Sequence, residues 1–412
     1  MRRRGVTYIA VMGTAVLVSL LTVTGLSVAR LKNRAFRSAN EAYEARRYAQ
    51  AGLQMGLLKI KQDSNWRTLV PNGNWAVNRE IGVGTVTLTG IDPVDNNIAN
   101  SQLNPLVLTA SGQKGSATQK LKITLVPNMV PLAALNTALH ATGIVTIDNS
   151  DSADPDNGPI STNGQIDNNG AIYGDAHCQS FLNAGSVYGQ RVTGAPAKPM
   201  PDSTVIPAYI AMATSISNPG VIEHLTLAPG RNPISGSLNS DGVYYINASS
   251  GDLTIRNCRI NGTLIVRLGV GRKLKIDNAV LMHNYRPDFP VLIVDGDQGL
   301  VEISLGSTLF GLSELLNFTN FNPSGAPYNG YTDGLTDDFY PNEIQGLVHS
   351  RSPITFKNSP RIKGVVLCES SVSFESSCSL IQNSAIYRNP PYLYWTIDGM
   401  KALPGEIRQL VD

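Results

Sequence analysis

The chain has 412 residues, of which only 16% are charged, and a formal net charge of +2. That length holds two or three domains with ample core. The low, nearly balanced charge excludes a dedicated nucleic-acid binder, which needs a basic stripe. Four cysteines without a CxxC pair exclude a zinc ribbon and a thioredoxin-type motif.

Residues 2–4 are all arginine, and residues 6–29 carry no charge. As a helix, 6–29 is about 36 Å long, enough to cross a bilayer core with some tilt. Ser27, Val28 and Ala29 are small enough for a signal peptidase, but the apolar run exceeds that of a cleavable signal. Arg30, Lys32, Arg34 and Arg37 follow, where lipid phosphates are the obvious partners. Residues 30–65 contain no proline. Within them Ala35, Ala39, Ala42, Ala49, Leu53, Gly56 and Ile60 recur at threes and fours, with Arg46 the one polar interruption. This spacing predicts one continuous helix, its first half in lipid and its second half outside, with a stripe of small residues. Such a stripe serves close approach of another backbone or packing on the chain's own globular part.

The pattern RRG, then VTYIAVMGTAVLVSLLTVTGLS, then ANEAYEARRYAQAGLQMGLLKI, resembles the start of type IV pilin-like proteins. It is most similar to bacterial PilX-like minor pilins and the large minor pseudopilins of type II secretion. The resemblance implies prepilin-peptidase cleavage after Gly5, with Val6 as the new N-terminus. Ala10 stands where the family usually carries Glu.

Pro71, Asn72 and Gly73 end the helical region with turn chemistry. GVGTVTLTGI (82–91) alternates apolar and polar residues as a half-buried strand does, and 106–112 and 121–126 read as two more strands. Helix followed by a small antiparallel sheet is the pilin arrangement, so the resemblance covers about residues 1–130.

From Gly143 onward, apolar runs of three to five residues alternate with Gly, Asn and Asp, as in GAIYG, GSVYG, DLTIRN and KLKIDN, with a Pro-rich break at 195–207. Very short strands without hairpin-type alternation predict a β-solenoid rather than an antiparallel sandwich. This texture resembles bactofilin-like and other right-handed β-helix domains. The expected fold class is therefore mainly β. Its expected parts are a basic leader (1–5), a transmembrane segment (6–29), an amphipathic helical extension (30–66), a small pilin-like sheet (67–130), a right-handed parallel β-helix (131–395) and a C-terminal cap over the last coil (396–412).

Two acidic groups are the candidates for chemistry. Asp148, Asp151, Asp154 and Asp156 resemble an acidic calcium loop, without EF-hand spacing. Asp333, Asp337, Asp338 and Glu343 offer paired carboxylates of the kind β-helix lyases and hydrolases use. Cys368 and Cys378 are close enough in sequence to be bridged; four buried thiols are the alternative. The five histidines are scattered, and there is no GxSxG, P-loop or dinucleotide fingerprint.

The expectation is a non-enzymatic, single-pass protein of the inner membrane, its large domain periplasmic or extracellular. No cofactor is expected beyond the calcium that the first acidic group would hold. Its partners would be the membrane, other pilin-like or secretion-system subunits through the helix, and polysaccharide, but no nucleic acid. The alternatives are a membrane-tethered β-helix polysaccharide lyase or hydrolase, and a bactofilin-like scaffold that self-associates through coil ends.

Overall fold

The structure is a computed structural model, and it describes residues 4–63, 65–306, 311–405 and 407–410, with side chains from residue 7 onward. Two compact units divide the chain: residues 1–129 with 397–412, and residues 130–396. The second is thus a continuous insertion near the end of the first.

In the first unit, helix α1 (Arg4–Gln62) runs unbroken for 59 residues, as the absence of proline dictates. Residues 7–40 are exposed throughout. From there on Ala45, Ala49, Gly52, Leu53, Gly56 and Ile60 are buried at spacings of three and four. They meet an antiparallel sheet of β1 (Gly73–Ile81), β2 (Gly84–Ile91), β3 (Leu106–Lys114) and β4 (Ala117–Pro131), in that order. Val86 and Leu88, Leu106, Leu108 and Ala110, and Leu121, Ile123 and Leu125 alternate inward along β2, β3 and β4, so one face of the sheet covers the helix.

Small residues set that packing distance. A Cβ on Gly112 would lie 2.1 Å from the Ala45 carbonyl oxygen, and one on Gly52 would lie 2.5 Å from a Val86 methyl. The stripe read from the sequence therefore serves the chain's own sheet over its lower turns, while Ala35 and Ala39 remain exposed. Beside it, buried Arg67 donates to the carbonyls of Ile98 (3.1 Å) and Asn104 (2.5 Å) and lies over the Trp66 ring, which pins the 92–104 loop.

One expectation is corrected here. The described residues of 396–412 belong to the sheet of the first unit and not to the last coil. Strands Trp395–Ala402 and Arg408–Leu410 join β4 in the antiparallel sheet. The alternating apolar residues of WTIDGMKA fit a strand edge as well as they fit a cap.

The second unit is a parallel β-solenoid with three sides per coil. Inward residues stack in register from coil to coil: Ile222, Ile255, Ile276, Ile303, Phe356, Phe374, Ile147 and Asn168 form one such column. The column shows that the stack does not follow chain order. The last coil (Arg361–Cys368, Val372–Phe374, Cys378–Gln382) pairs with the first (Leu139–Ala141, Val145–Ile147, Ser152–Asp156). The coils after 139 climb to Arg191–Thr193. The chain then crosses the Pro-rich break and helix Val205–Met212, and restarts at Thr214–Ile216, the opposite end of the stack.

The three sides differ. The first, carrying Tyr245, Ile265, Ile293 and Leu367, is covered by helix Val205–Met212, helix Ser384–Arg388 and Tyr394, which build a second core. The second is open. The third is covered over part of its length by an excursion between strands Leu300–Leu305 and Glu343–Ser350.

Candidate functional site

Residues 7–29 are apolar, helical and unpacked. An 18-residue stretch of the helix has a mean hydropathy of 2.1, with none of it buried inside the protein, and the helix is long and apolar enough to cross a membrane. Thr14, Ser19, Thr22, Thr24 and Ser27 each donate their hydroxyl to a carbonyl three or four residues back, so these polar groups are satisfied without water. Gly5 and Val6 lie in the first turn of α1, and the Val6 side chain is outside the described residues. Ala10, where a charge would stand in a pilin, lies in the apolar helix.

The acidic groups do not gather. Asp154 and Asp156 project from strand Ser152–Asp156, whereas Asp148 and Asp151 sit in the preceding turn. Asp333 folds back on the amide of Leu335 (3.1 Å), Asp337 is exposed, and Asp338 accepts from Asn322 and Tyr340. Glu343 is on a coil, buried, and tied to Lys363 (2.8 Å) and Arg361 (3.6 Å). Among the described residues no group of three or more His, Cys, Asp or Glu could hold a metal ion. The aspartates expected to form a calcium loop thus make no metal-holding cluster among the described residues, and the carboxylates of the second group are not brought together as a set. In the first group only Asp154 and Asp156, two residues apart, share the outward face of a strand, and those of the second group belong to separate segments.

Cys368 and Cys378 are free, as are Cys178 and Cys258. Cys368 ends one side of a coil and Cys378 begins another, with strand Val372–Phe374 between them. That separation prevents a bridge, which needs neighbouring Cα atoms. Burial raises all four thiols, Cys368 to about 12, and leaves them unreactive at neutral pH.

The open side carries a charged network. Glu302, nearly buried, pairs with Lys273 (3.2 Å) and Lys275 (3.7 Å), both from strand Lys273–His283, and with Lys357 (3.4 Å), just after strand Ile354–Phe356, on the coils either side of its own. The desolvation that would raise its carboxyl is outweighed by these lysines, and its pKa falls.

No family model matches this chain, and no curated protein matches it. Among solved structures it is similar to the competence-associated pilin ComZ from Thermus thermophilus, at 13% identity and a TM-score of 0.35, over 90% of this chain and 97% of that one. It is also similar to an ice-binding protein domain from Shewanella frigidimarina (12% identity, TM-score 0.30, 62% of this chain and 99% of that one). A third likeness is an ice-binding protein from the Antarctic ascomycete Antarctomyces psychrotrophicus (13% identity, TM-score 0.25, 62% of this chain and 100% of that one).

Two features were invisible in the sequence. First, His349, His140 and His177 fall on one outward column of the first side, separated by Leu367 and Ser161. His140 is buried against the Ser161 hydroxyl (2.7 Å), and His349 lies between Tyr394 and Glu369. Second, Arg259 on the third side is fully buried. It donates to the carbonyls of Phe321 (2.7 Å), Ala326 (2.9 Å) and Pro327 (2.6 Å), and to His283 (3.2 Å). Glu314, also fully buried, answers from the excursion, accepting from Phe321, Asp338 and Tyr340. Burial lowers Arg259 to about 10, so it stays charged at neutral pH.

The buried histidines set an acid limit. Burial, with Lys198 nearby, lowers His140 to about 4; burial, with Arg259 beside it, lowers His283 to about 3. Both are neutral in the fold and protonate near pH 6.5 when unfolded. The unfolded chain therefore binds more protons below pH 6.5, and stability falls with pH toward 4 and then 3. The thermal midpoint of the solenoid is expected to drop steadily over that window, and the double substitution His140→Gln, His283→Gln is expected to flatten the slope.

Proposed function

We propose that this chain is a membrane-anchored, pilin-like protein of the bacterial cell envelope, a minor component of a type IV pilus or type II secretion pseudopilus. It has no enzymatic role and displays its β-solenoid outside the inner membrane to a protein partner or a polysaccharide. The observation that carries the reading is the division of α1 into an unpacked apolar half and a half buried on the sheet.

From Tyr8 to Val28 about a dozen large apolar side chains are more than half exposed. Covering each is worth about 1.5–3 kcal/mol, or on the order of 20–35 kcal/mol together. Only lipid or neighbouring helices can supply that cover. The cations from Arg30 to Arg37 follow at headgroup level. The sheet grips the helix from Ala45 onward and holds it as a rod.

Mass spectrometry of the N-terminus of protein purified from its own membranes tests the processing step. A chain that begins at Val6 supports it. A chain that begins at Arg30 would remove both the anchor and the pilin reading.

A further inference from the structure

We propose that the corner between the third and first sides of the solenoid is a binding site for a neutral acetamido sugar. A cleft of about 600 Å³ opens there, within the size range of small-ligand sites. Its floor is bare backbone at Gly346, which stands in register with Gly364 on the neighbouring coil. A Cβ on Gly346 would lie 3.3 Å from Asn284 Oδ1, which places that oxygen over the floor.

The amides of the cleft are already half committed. Asn284 donates its NH2 group to the carbonyls of Arg286 (2.7 Å) and Phe289 (3.3 Å), so its own carbonyl oxygen is left for a ligand. Gln345 donates to Glu343 (2.6 Å) and is left with its oxygen in the same way. Asn383 is the reverse: its oxygen accepts from the amide of Ala385 (3.0 Å), and its NH2 group is left. Asn389 stands exposed on the rim.

The cleft therefore offers fixed acceptors and fixed donors together. Its two charges are neutralised within the chain, Lys363 by Glu343 at 2.8 Å and Asp288 by Arg286 at 2.6 Å. An anion or a cation finds no free counter-charge. Pro287, Ile386 and Pro390 add an apolar wall. Hydroxyl groups both donate and accept, and an acetamide group adds an N–H, a carbonyl and a methyl. A sugar carrying both matches the acceptors, the donors and the wall.

Glu343 lies against this cleft through Gln345 and Lys363, but its carboxylate is locked in ion pairs, so the site holds a glycan without cleaving it. This deepens the polysaccharide-binding part of the function proposed above and is independent of the anchor. A mature chain beginning at Arg30 would leave it standing, and its failure would leave the anchor standing.

The test is calorimetric titration of the full-length protein, in a detergent without a sugar headgroup, with N,N′-diacetylchitobiose, cellobiose and digalacturonate. Saturable binding of diacetylchitobiose is expected, at least tenfold tighter than of the other two. Gln345→Ala and Asn389→Ala together should weaken it at least tenfold with unchanged thermal unfolding. Absence of saturable binding, equal binding of cellobiose, tighter binding of digalacturonate, or an unaffected double variant would each overturn the proposal.

Discussion

Gly364→Ala is expected to destabilise the solenoid strongly. Gly364 and Gly346 pair in register on adjacent coils, and a Cβ on Gly364 would lie 1.8 Å from the Gly346 carbonyl oxygen and 2.6 Å from its carbon. Both obstacles are backbone. Parallel hydrogen bonding fixes neighbouring coils at about 4.8 Å, so neither strand can yield without breaking its own pairing. Ordinary overpacking costs about 1–3 kcal/mol. Here no side chain can rotate away, and the cost should exceed about 3 kcal/mol, a fall of roughly 6–10 °C in thermal midpoint. Gly334→Ala is the control, because a Cβ there meets nothing within 4 Å. A Gly364→Ala protein that melts with the parent would show that the coils are not stacked as described.

The second large effect is expected at Arg259. Arg259→Met keeps much of the volume and removes every donor. The carbonyls of Phe321, Ala326 and Pro327 would lose their partner, and Glu314 would lose the charge that faces it. Removing one member of a buried ionic network costs about 3–5 kcal/mol. The loss should be local at first, because the coils below have their own column of Ile and Phe. Limited proteolysis is therefore expected to cut within residues 311–341 of the variant while the parent resists, with a lowered thermal midpoint. Arg259→Lys should rescue little, since an ammonium group cannot span three carbonyls held in a fork. Equal protease resistance of parent and variant would contradict the pinning role.

These two positions also mark what the sequence could and could not reveal. The unbroken helix was legible from a proline-free stretch, and β2 from the alternation of GVGTVTLTGI. The solenoid was legible from three-residue strands between Gly and Asn. The order of the coils was not. Inward positions at Ile147, Ile303 and Phe374 carry interchangeable apolar residues, so nothing local says that coil 361–382 must meet coil 139–156. Nothing in CRIN marks Arg259 for burial, and only the excursion laid over it makes it buried. The acidic groups misled in the opposite sense. Asp148 to Asp156 are adjacent in sequence but divided between a turn and a strand, and Glu343 belongs to a coil while Asp333 does not. The cleft at Gly346 is drawn from segments about a hundred residues apart, which no motif could announce.

The anchor is tested most directly by thiol labelling in intact spheroplasts. The four native cysteines are buried and their thiols raised, so they should stay silent and leave a clean background. Ser19→Cys lies in the unpacked apolar half of α1, and Tyr188→Cys replaces a side chain that is 68% exposed on the solenoid. With a membrane-impermeant maleimide, Tyr188→Cys should label from outside, while Ser19→Cys should label only after detergent is added. Labelling of Tyr188→Cys only after lysis, or of Ser19→Cys without detergent, would contradict a solenoid carried outside the membrane on a lipid-embedded helix.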